Sequence, residues 1–236
     1  MSCVLLAVLL AGGPLPVAAI EADLAAAIRR YDAEAAVAVL GRARELDRAA
    51  PAPATVLLRV RAALAVAELL RVRFEQTARD DVQARAVLGQ RIDAAAEEGL
   101  ALLDRVPTGS ERYRIEADLV ATMIRSDFRA KKYETRFATA VAKALELDPR
   151  NARAVLASAK PLVFAPVQHG RDLPKAVEML TRALALDPAL EAARLLRAFA
   201  LDAQGQHEVA RRDWQTALDA NPDCAPAREA LARPGK

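Results

Sequence analysis

The length, composition and charge of the chain favour a helical protein and exclude several other classes. Its 236 residues are 53% hydrophobic, only 4% aromatic and poor in glycine, so small aliphatic side chains must form the core and helices are favoured over sheets. Basic residues exceed acidic ones by only three and the two signs interleave, which argues against the concentrated basic face of a nucleic-acid-binding protein.

The first nineteen residues have the layout of a secretory signal peptide. An apolar run over residues 4–11 is followed by a Gly-Gly-Pro break and by short side chains before Ala19. The run is too short to span a bilayer, and no Lys or Arg precedes it, so a retained anchor or a buried first helix are the alternatives. We expect residues 1–19 to be cleaved, and the mature chain to be exported to the periplasm or envelope without stable membrane insertion.

Residues 20–109 are predicted to form irregular helical hairpins that pack on a C-terminal repeat half. Two short helices are expected within residues 21–47. Residues 56–77 are apolar almost all round, which is typical of a central helix covered on two sides. A further long helix is predicted over residues 80–103.

Three copies of one short sequence motif mark the repeats of the C-terminal half. The sequences ALELDP, ALALDP and ALDANP end at Pro149, Pro188 and Pro222, so the prolines stand 39 and 34 residues apart. A period near 34 with proline after a helix is typical of a helical-hairpin repeat. Over residues 110–232 we therefore predict repeats at about 110–149, 150–188 and 189–222, followed by a C-terminal helix.

The first of these repeats is predicted to begin at Ser110, whose hydroxyl can cap a helix. Its first helix is expected to turn one apolar face inward, formed by Tyr113, Ala117, Val120, Ile124 and Phe128. The second helix would bury Phe137 and end at Asp148.

The last two hairpins resemble tetratricopeptide repeats. That family has a small residue in its first helix, the pattern Ala-x-x-x-large-x-x-Ala in its second, and proline at the exit. The matching residues here are Ala159, Ala176, Leu180, Ala183 and Pro188, then Ala198, Ala210, Trp214, Ala217 and Pro222. The resemblance implies an all-α fold of antiparallel hairpins in a short right-handed superhelix with an irregular helical N-terminal half. The layout is also similar to exported bacterial repeat proteins.

The resemblance also implies a concave groove lined by the first helix of each repeat. The residues expected to face it are Arg153, Leu156, Lys160, Val163, Phe164, Leu195, Phe199 and Asp202. Phe164 and Phe199 are expected to anchor an apolar peptide side chain, and Arg153 and Lys160 to meet a carboxylate. The alternative is a groove filled by the protein's own helices or its C-terminal tail.

The 39-residue spacing contains about five inserted residues between Phe164 and Pro174. Insertions in helical repeats often map to an edge where partners bind. His169, Arg171 and Asp172 are therefore candidates for contact with a partner. The alternative is a rigid, proline-bounded loop that packs on the next helix.

Motifs for catalysis, metal binding and phosphate binding are absent from the sequence, and its two histidines lie far apart. We therefore expect a non-catalytic interaction scaffold of the bacterial cell envelope that binds a peptide or a partner subunit without a cofactor. The alternative is an accessory component of a periplasmic uptake or envelope-assembly system that binds a transporter or a small-molecule ligand.

Overall fold

The computed structural model describes residues 16–165 and 170–233, and every regular element in these ranges is a helix. The chain divides into two compact units, Met1–Pro107 and Thr108–Lys236. Most of the predicted signal peptide, residues 1–15, lies outside the described residues. The packing of residues 20–109 on the repeats stays a prediction.

The first unit is built around one buried helix. Over its described residues the α-helices are α1 (Pro16–Arg29), α2 (Ala33–Ala49), α3 (Pro53–Gln76) and α4 (Val82–Leu102), followed by a 3₁₀ turn at Leu103–Arg105. α3 packs against each of the other three helices and buries side chains around most of its circumference. This confirms the central helix predicted over residues 56–77.

Local side chains set the ends of these helices. Tyr31 takes a left-handed backbone conformation (φ 55°) that turns the chain after α1, and the Asp32 carboxylate then accepts a hydrogen bond from the Ala35 amide at 2.9 Å to cap α2. Asp81 caps α4 in the same way. Capping carboxylates therefore set the starts of α2 and α4, whereas α3 begins at Pro53.

A network of ion pairs joins α2, α3 and α4. The buried carboxylate of Asp47 accepts from Arg59 at 3.1 Å and from Arg105 at 3.1 Å. Arg59 also donates to Glu98 at 2.8 Å, and Arg44 donates to the same carboxylate. Burial alone would raise the pKa of Glu98, but the hydrogen bonds from Arg44 and Arg59 outweigh it and hold that pKa below its usual value.

The second unit is a stack of three antiparallel hairpins. Its described helices are α5 (Ser110–Met123), α6 (Asp127–Leu147), α7 (Ala152–Phe164), α8 (Leu173–Leu186), α9 (Glu191–Ala203), α10 (His207–Ala220) and α11 (Ala225–Ala232). α5 pairs with α6, α7 with α8 and α9 with α10; the first helices contact one another in order, and α11 covers α10. The predicted all-α fold of antiparallel helical hairpins is confirmed.

The three copies of the repeated sequence motif form the same turn. At Asp148, Asp187 and Asn221 the backbone amide closes the helix by donating to the carbonyl four residues earlier, at 2.9–3.0 Å. Each side-chain oxygen then accepts from the amide two residues later, at 2.9, 3.0 and 3.2 Å respectively. This Asx turn leads directly into the next helix, so the sequence repeat is also a repeat of local geometry.

The core of the second and third hairpins follows the predicted pattern of small and large residues. Leu180 is fully buried and Trp214 nearly so. The alanines that allow close helix approach are also fully buried or almost so: Ala159, Ala176, Ala183, Ala198, Ala210 and Ala217. Small residues permit the close pairing within each hairpin, and the larger side chains fill the space between them.

Two expectations for the first repeat are wrong. α5 ends at Met123, and Ser126 accepts a hydrogen bond from the Arg129 amide at 3.3 Å to start α6, so Phe128 lies on the second helix and is 78% exposed. Gly109, not Ser110, occupies the N-cap of α5. The Ser110 hydroxyl instead donates to the Ala144 carbonyl at 2.8 Å.

Candidate functional site

An exposed aromatic pair links the second and third hairpins. Phe164 is the last residue of α7 and Phe199 lies in α9, and their ring centroids are 5.9 Å apart at an angle of 37°. The side chains are 65% and 46% exposed. Because α7 and α9 are in contact, the stacking of hairpins brings together two rings that are 35 positions apart. Two large apolar side chains that touch each other in water form a candidate contact surface.

A shallow depression lies at the same end of these hairpins. It is lined by Arg171, Asp172, Leu173, Pro174, Ala203 and Gln204. Ala203 is one helical turn beyond Phe199 on the same face of α9, so the depression adjoins the aromatic pair. Phe164 and Phe199 of the predicted groove and Arg171 and Asp172 of the predicted loop therefore lie at one end of the second and third hairpins.

Asp172 has a structural role in this loop. Its amide donates to the Leu162 carbonyl at 2.9 Å, and its carboxylate accepts from the Lys175 amide at 3.0 Å, which caps α8. Arg171 is exposed and has no ion-pair partner among the described residues. Of the two loop candidates that the structure describes, Arg171 is therefore the side chain available to a partner. His169 lies outside the described residues.

Asp202, the last of the predicted groove residues, is engaged at the turn between α9 and α10. Its carboxylate lies 2.7 Å from Nδ1 of His207, and both side chains are partly exposed. Gly205 takes a left-handed conformation (φ 78°) that completes this turn. The pair fixes the end of α9 beyond Phe199.

Lys160 belongs to an ion-pair cluster between α5 and α7. Its Nζ lies 2.7 Å from Asp118, whose other oxygen accepts from the buried Arg114 at 2.8 Å. Arg114 also binds Glu111, at 2.6 and 3.0 Å. Burial alone would raise the pKa of Asp118, but the charges of Lys160 and Arg114 outweigh it and hold that pKa below its usual range. Lys160 therefore anchors the first two hairpins to each other.

The remaining predicted groove residues differ in exposure. Leu156 is only 6% exposed and packs in the core of the second hairpin, so its assignment to an open groove is wrong. Val163 is buried in the same core. Arg153 is exposed and Leu195 is half-buried. An apolar side chain at a helical spacing can face either the groove or the partner helix of its own hairpin, and spacing alone does not separate the two.

Sequence reasoning missed Asp118 and Arg114. They stand four residues apart on α5, and this spacing is the signal that could have paired them with each other. The third member of the cluster, Lys160, is 42 positions away from Asp118 and reaches it only because α5 and α7 stack.

The surface around the aromatic pair presents side chains that a partner can contact. Within the described ranges, no group of three or more His, Cys, Asp or Glu side chains is placed to hold a metal ion. Over the same residues, no helix is both long and apolar enough to cross a membrane. The features that remain are two exposed rings, an exposed arginine and a shallow depression.

Comparison with known proteins finds a likeness among solved structures. No family model and no curated protein matches the sequence. The chain is similar to the crystal structure of YrrB, described as a TPR protein with an unusual peptide-binding site. The two share 12% sequence identity with a TM-score of 0.42, over 85% of this chain and 92% of the YrrB chain.

Proposed function

We propose that the protein is a non-catalytic scaffold that binds a peptide segment or a partner subunit through the surface around Phe164 and Phe199. The observation that carries this proposal is the contact between these two exposed rings, which belong to consecutive hairpins. An apolar side chain of a partner, placed against both rings, removes them from water without any change in the protein's own core.

The charge beside the rings favours a partner with a carboxylate. Arg171 lines the adjoining depression and is exposed, whereas Lys160 and Asp202 are each held by another side chain. A guanidinium can receive a carboxylate in a bidentate contact. The partner proposed here is therefore a segment with an aromatic or large aliphatic residue near an acidic residue or a C-terminal carboxylate.

Selection from a library of random displayed peptides tests the binding site. We expect the full chain to enrich peptides with an aromatic or large aliphatic residue, and Phe164→Ala/Phe199→Ala to weaken their binding about 30-fold, which corresponds to roughly 2 kcal/mol.

The matched control is Phe128→Ala, which removes a more exposed ring elsewhere in the same unit. It should leave the affinity unchanged. Peptides that bind the double variant as tightly as the wild-type chain would remove this surface from the proposal.

We propose further that the scaffold acts in the bacterial cell envelope. The support comes from the apolar run and break before Ala19 and from the burial pattern of α1. Ala18 and Ala19 are exposed, whereas Ile20 and Leu24 are buried. A cut after Ala19 therefore keeps the side chains that hold α1 in place.

Cell fractionation with N-terminal sequencing tests the location. We expect a periplasmic form that begins at Ile20, and retention of the longer form when Ala19 is replaced by arginine. An uncleaved wild-type chain confined to the cytosol would contradict export and would leave the binding proposal untouched.

A further inference from the structure

The start of α6 presents a second aromatic side chain to solvent, together with two lysines. Phe128 is 78% exposed, and Lys131 and Lys132 follow it by three and four residues, which places all three on one face of the helix. α6 buries its opposite face through Phe137, Ala140, Val141 and Ala144. The face with Phe128 therefore points away from the core of its own hairpin.

This short stretch carries the entire net charge of the protein. Residues 125–136 contain five basic residues, Arg125, Arg129, Lys131, Lys132 and Arg136, and two acidic ones, Asp127 and Glu134, a balance of +3. The whole chain also has a net charge of +3, so acidic and basic residues balance over the rest of the sequence. The interleaving of charges that holds along the rest of the chain is broken here.

The lysines are the available charges of the group. Arg136 pairs with Glu116 at 2.8 Å, and Arg129 donates to the Met123 carbonyl at 3.2 Å. Lys131 and Lys132 are both exposed and form no ion pair within the described residues; Lys132 lies 5.0 Å from the centre of the Tyr133 ring. Two exposed cations therefore flank one protruding apolar ring.

We infer that Phe128, Lys131 and Lys132 form a docking surface for anionic phospholipid headgroups. The ring projects from a convex helix face, where a bilayer interface can take up the side chain without a preformed pocket. The lysine ammonium groups meet the lipid phosphates while their alkyl stems lie beside the ring. This surface goes beyond the proposed peptide-binding site and shares no residue with it.

The expected binding is reversible and depends on lipid charge. Each lysine close to an anionic membrane strengthens partition about fivefold, and one phenylalanine adds a small apolar contribution. Contact should weaken as salt is added, because screening reduces the attraction between exposed charges.

Tryptophan quenching by brominated lipids tests the contact at the residue itself. In the full chain, Phe128→Trp places an exposed indole on this face, whereas the native Trp214 is buried. We expect the emission of the introduced indole to be quenched by vesicles of brominated phosphatidylglycerol and not by vesicles of brominated phosphatidylcholine. The matched control is Val209→Trp on α10, where an exposed apolar residue precedes the exposed pair Arg211 and Arg212 in sequence. The indole of this control should stay unquenched.

Reversing the charge of chosen residues distinguishes docking through this face from a general attraction between the protein's net charge and anionic vesicles. In the Phe128→Trp background, Lys131→Glu/Lys132→Glu should weaken partition at least about 25-fold, while Arg211→Glu/Arg212→Glu, with the same change in net charge, should leave it nearly unchanged. Three results would overturn the inference: no quenching at position 128, equal quenching at position 209, or quenching that survives reversal of the lysines. Binding of an acidic peptide to this face in place of vesicles would also overturn it.

Discussion

The two units of the protein use the same Leu-Asp step in different ways. In the second unit, Asp148 and Asp187 end a helix, and each side chain closes an Asx turn before the next helix. In the first unit, Asp47 lies inside α2, which continues to Ala49, and its carboxylate binds Arg59 and Arg105. The difference lies in the next residue, which is proline after Asp148 and Asp187 and arginine after Asp47.

Proline therefore decides which role the aspartate takes. Where proline follows, the chain leaves the helix and the carboxylate faces local amides. Without it, the helix runs on and the carboxylate becomes a buried charge that needs cationic partners from other helices. At this Leu-Asp sequence, the second unit forms a local turn that repeats along the chain, whereas the first unit forms ion pairs between helices.

The largest expected loss of stability comes from introducing the Leu-Asp-Pro sequence of the repeats into the first unit. Arg48→Pro recreates Leu-Asp-Pro but removes a helical hydrogen bond near the end of α2 and displaces Asp47 from its two arginines. We expect the free energy of unfolding to fall by about 3 kcal/mol in urea titrations. The control Arg48→Ala removes only an exposed side chain and should change the stability by less than about 0.5 kcal/mol. Equal stability of the two variants would contradict the role given to proline.

An intermediate effect is expected at the buried ion-pair cluster of the second unit. Asp118→Asn deprives the buried Arg114 of one of its carboxylates and removes the charge that holds Lys160, and we expect the free energy of unfolding to fall by about 2 to 3 kcal/mol. Asp47→Asn should have a smaller effect, because Arg59 and Arg105 are more exposed than Arg114 and can be hydrated. The reverse order in chemical denaturation would refute this ranking.

The effect of Asp118→Asn on the free energy of unfolding should also depend on pH. Since the pKa of Asp118 is lowered in the folded protein, its carboxylate binds protons more weakly there than in the unfolded chain, where the value is about 3.9. The stability that it contributes is complete above about pH 5 and is lost as pH falls through the unfolded value towards the folded one. The difference between wild type and Asp118→Asn should therefore narrow in acid, and a constant difference from about pH 7 to about pH 3 would contradict this.

The smallest loss of stability is expected from substitutions in the Asx turn at Asp187 and Pro188. Pro188→Ala keeps the Asp187 carboxylate and loses the restriction that proline places on the unfolded chain, so we expect a decrease of about 0.5 kcal/mol. Asp187→Ala removes the acceptor of the Ala189 amide and should decrease the stability by about 1 kcal/mol. Thermal melts of the two variants would show whether proline or aspartate matters more in the turn.

Sequence patterns predicted the second and third hairpins well. Their proline exits and small alanines act within one or two helical turns, and such local signals are visible in a single sequence. The end of α5 was missed because neither glycine nor proline marks the turn before Ser126. For that reason the apolar spacing alone predicts Phe128 on the core face of the first helix.

The candidate site was predictable only in part. Phe164 and Phe199 were chosen from the repeat pattern, and the structure places their rings together. Leu156 and Lys160 were chosen by the same pattern, but one packs in the core and the other binds Asp118. Helical spacing gives the direction of a side chain, whereas its surroundings depend on helices that stack from distant parts of the chain.

Nuclear Overhauser measurements on phenylalanine rings test the stacking of the second and third hairpins most directly. Selective ring labelling of the full chain gives only five spin systems, and Phe164→Leu and Phe199→Leu assign the two that matter. We predict a cross-peak between the Phe164 and Phe199 rings in the free protein, and a shift of both signals, but not of Phe128, when a selected peptide binds. If the two rings give no cross-peak, the hairpins do not bring them together and the proposed binding surface does not exist.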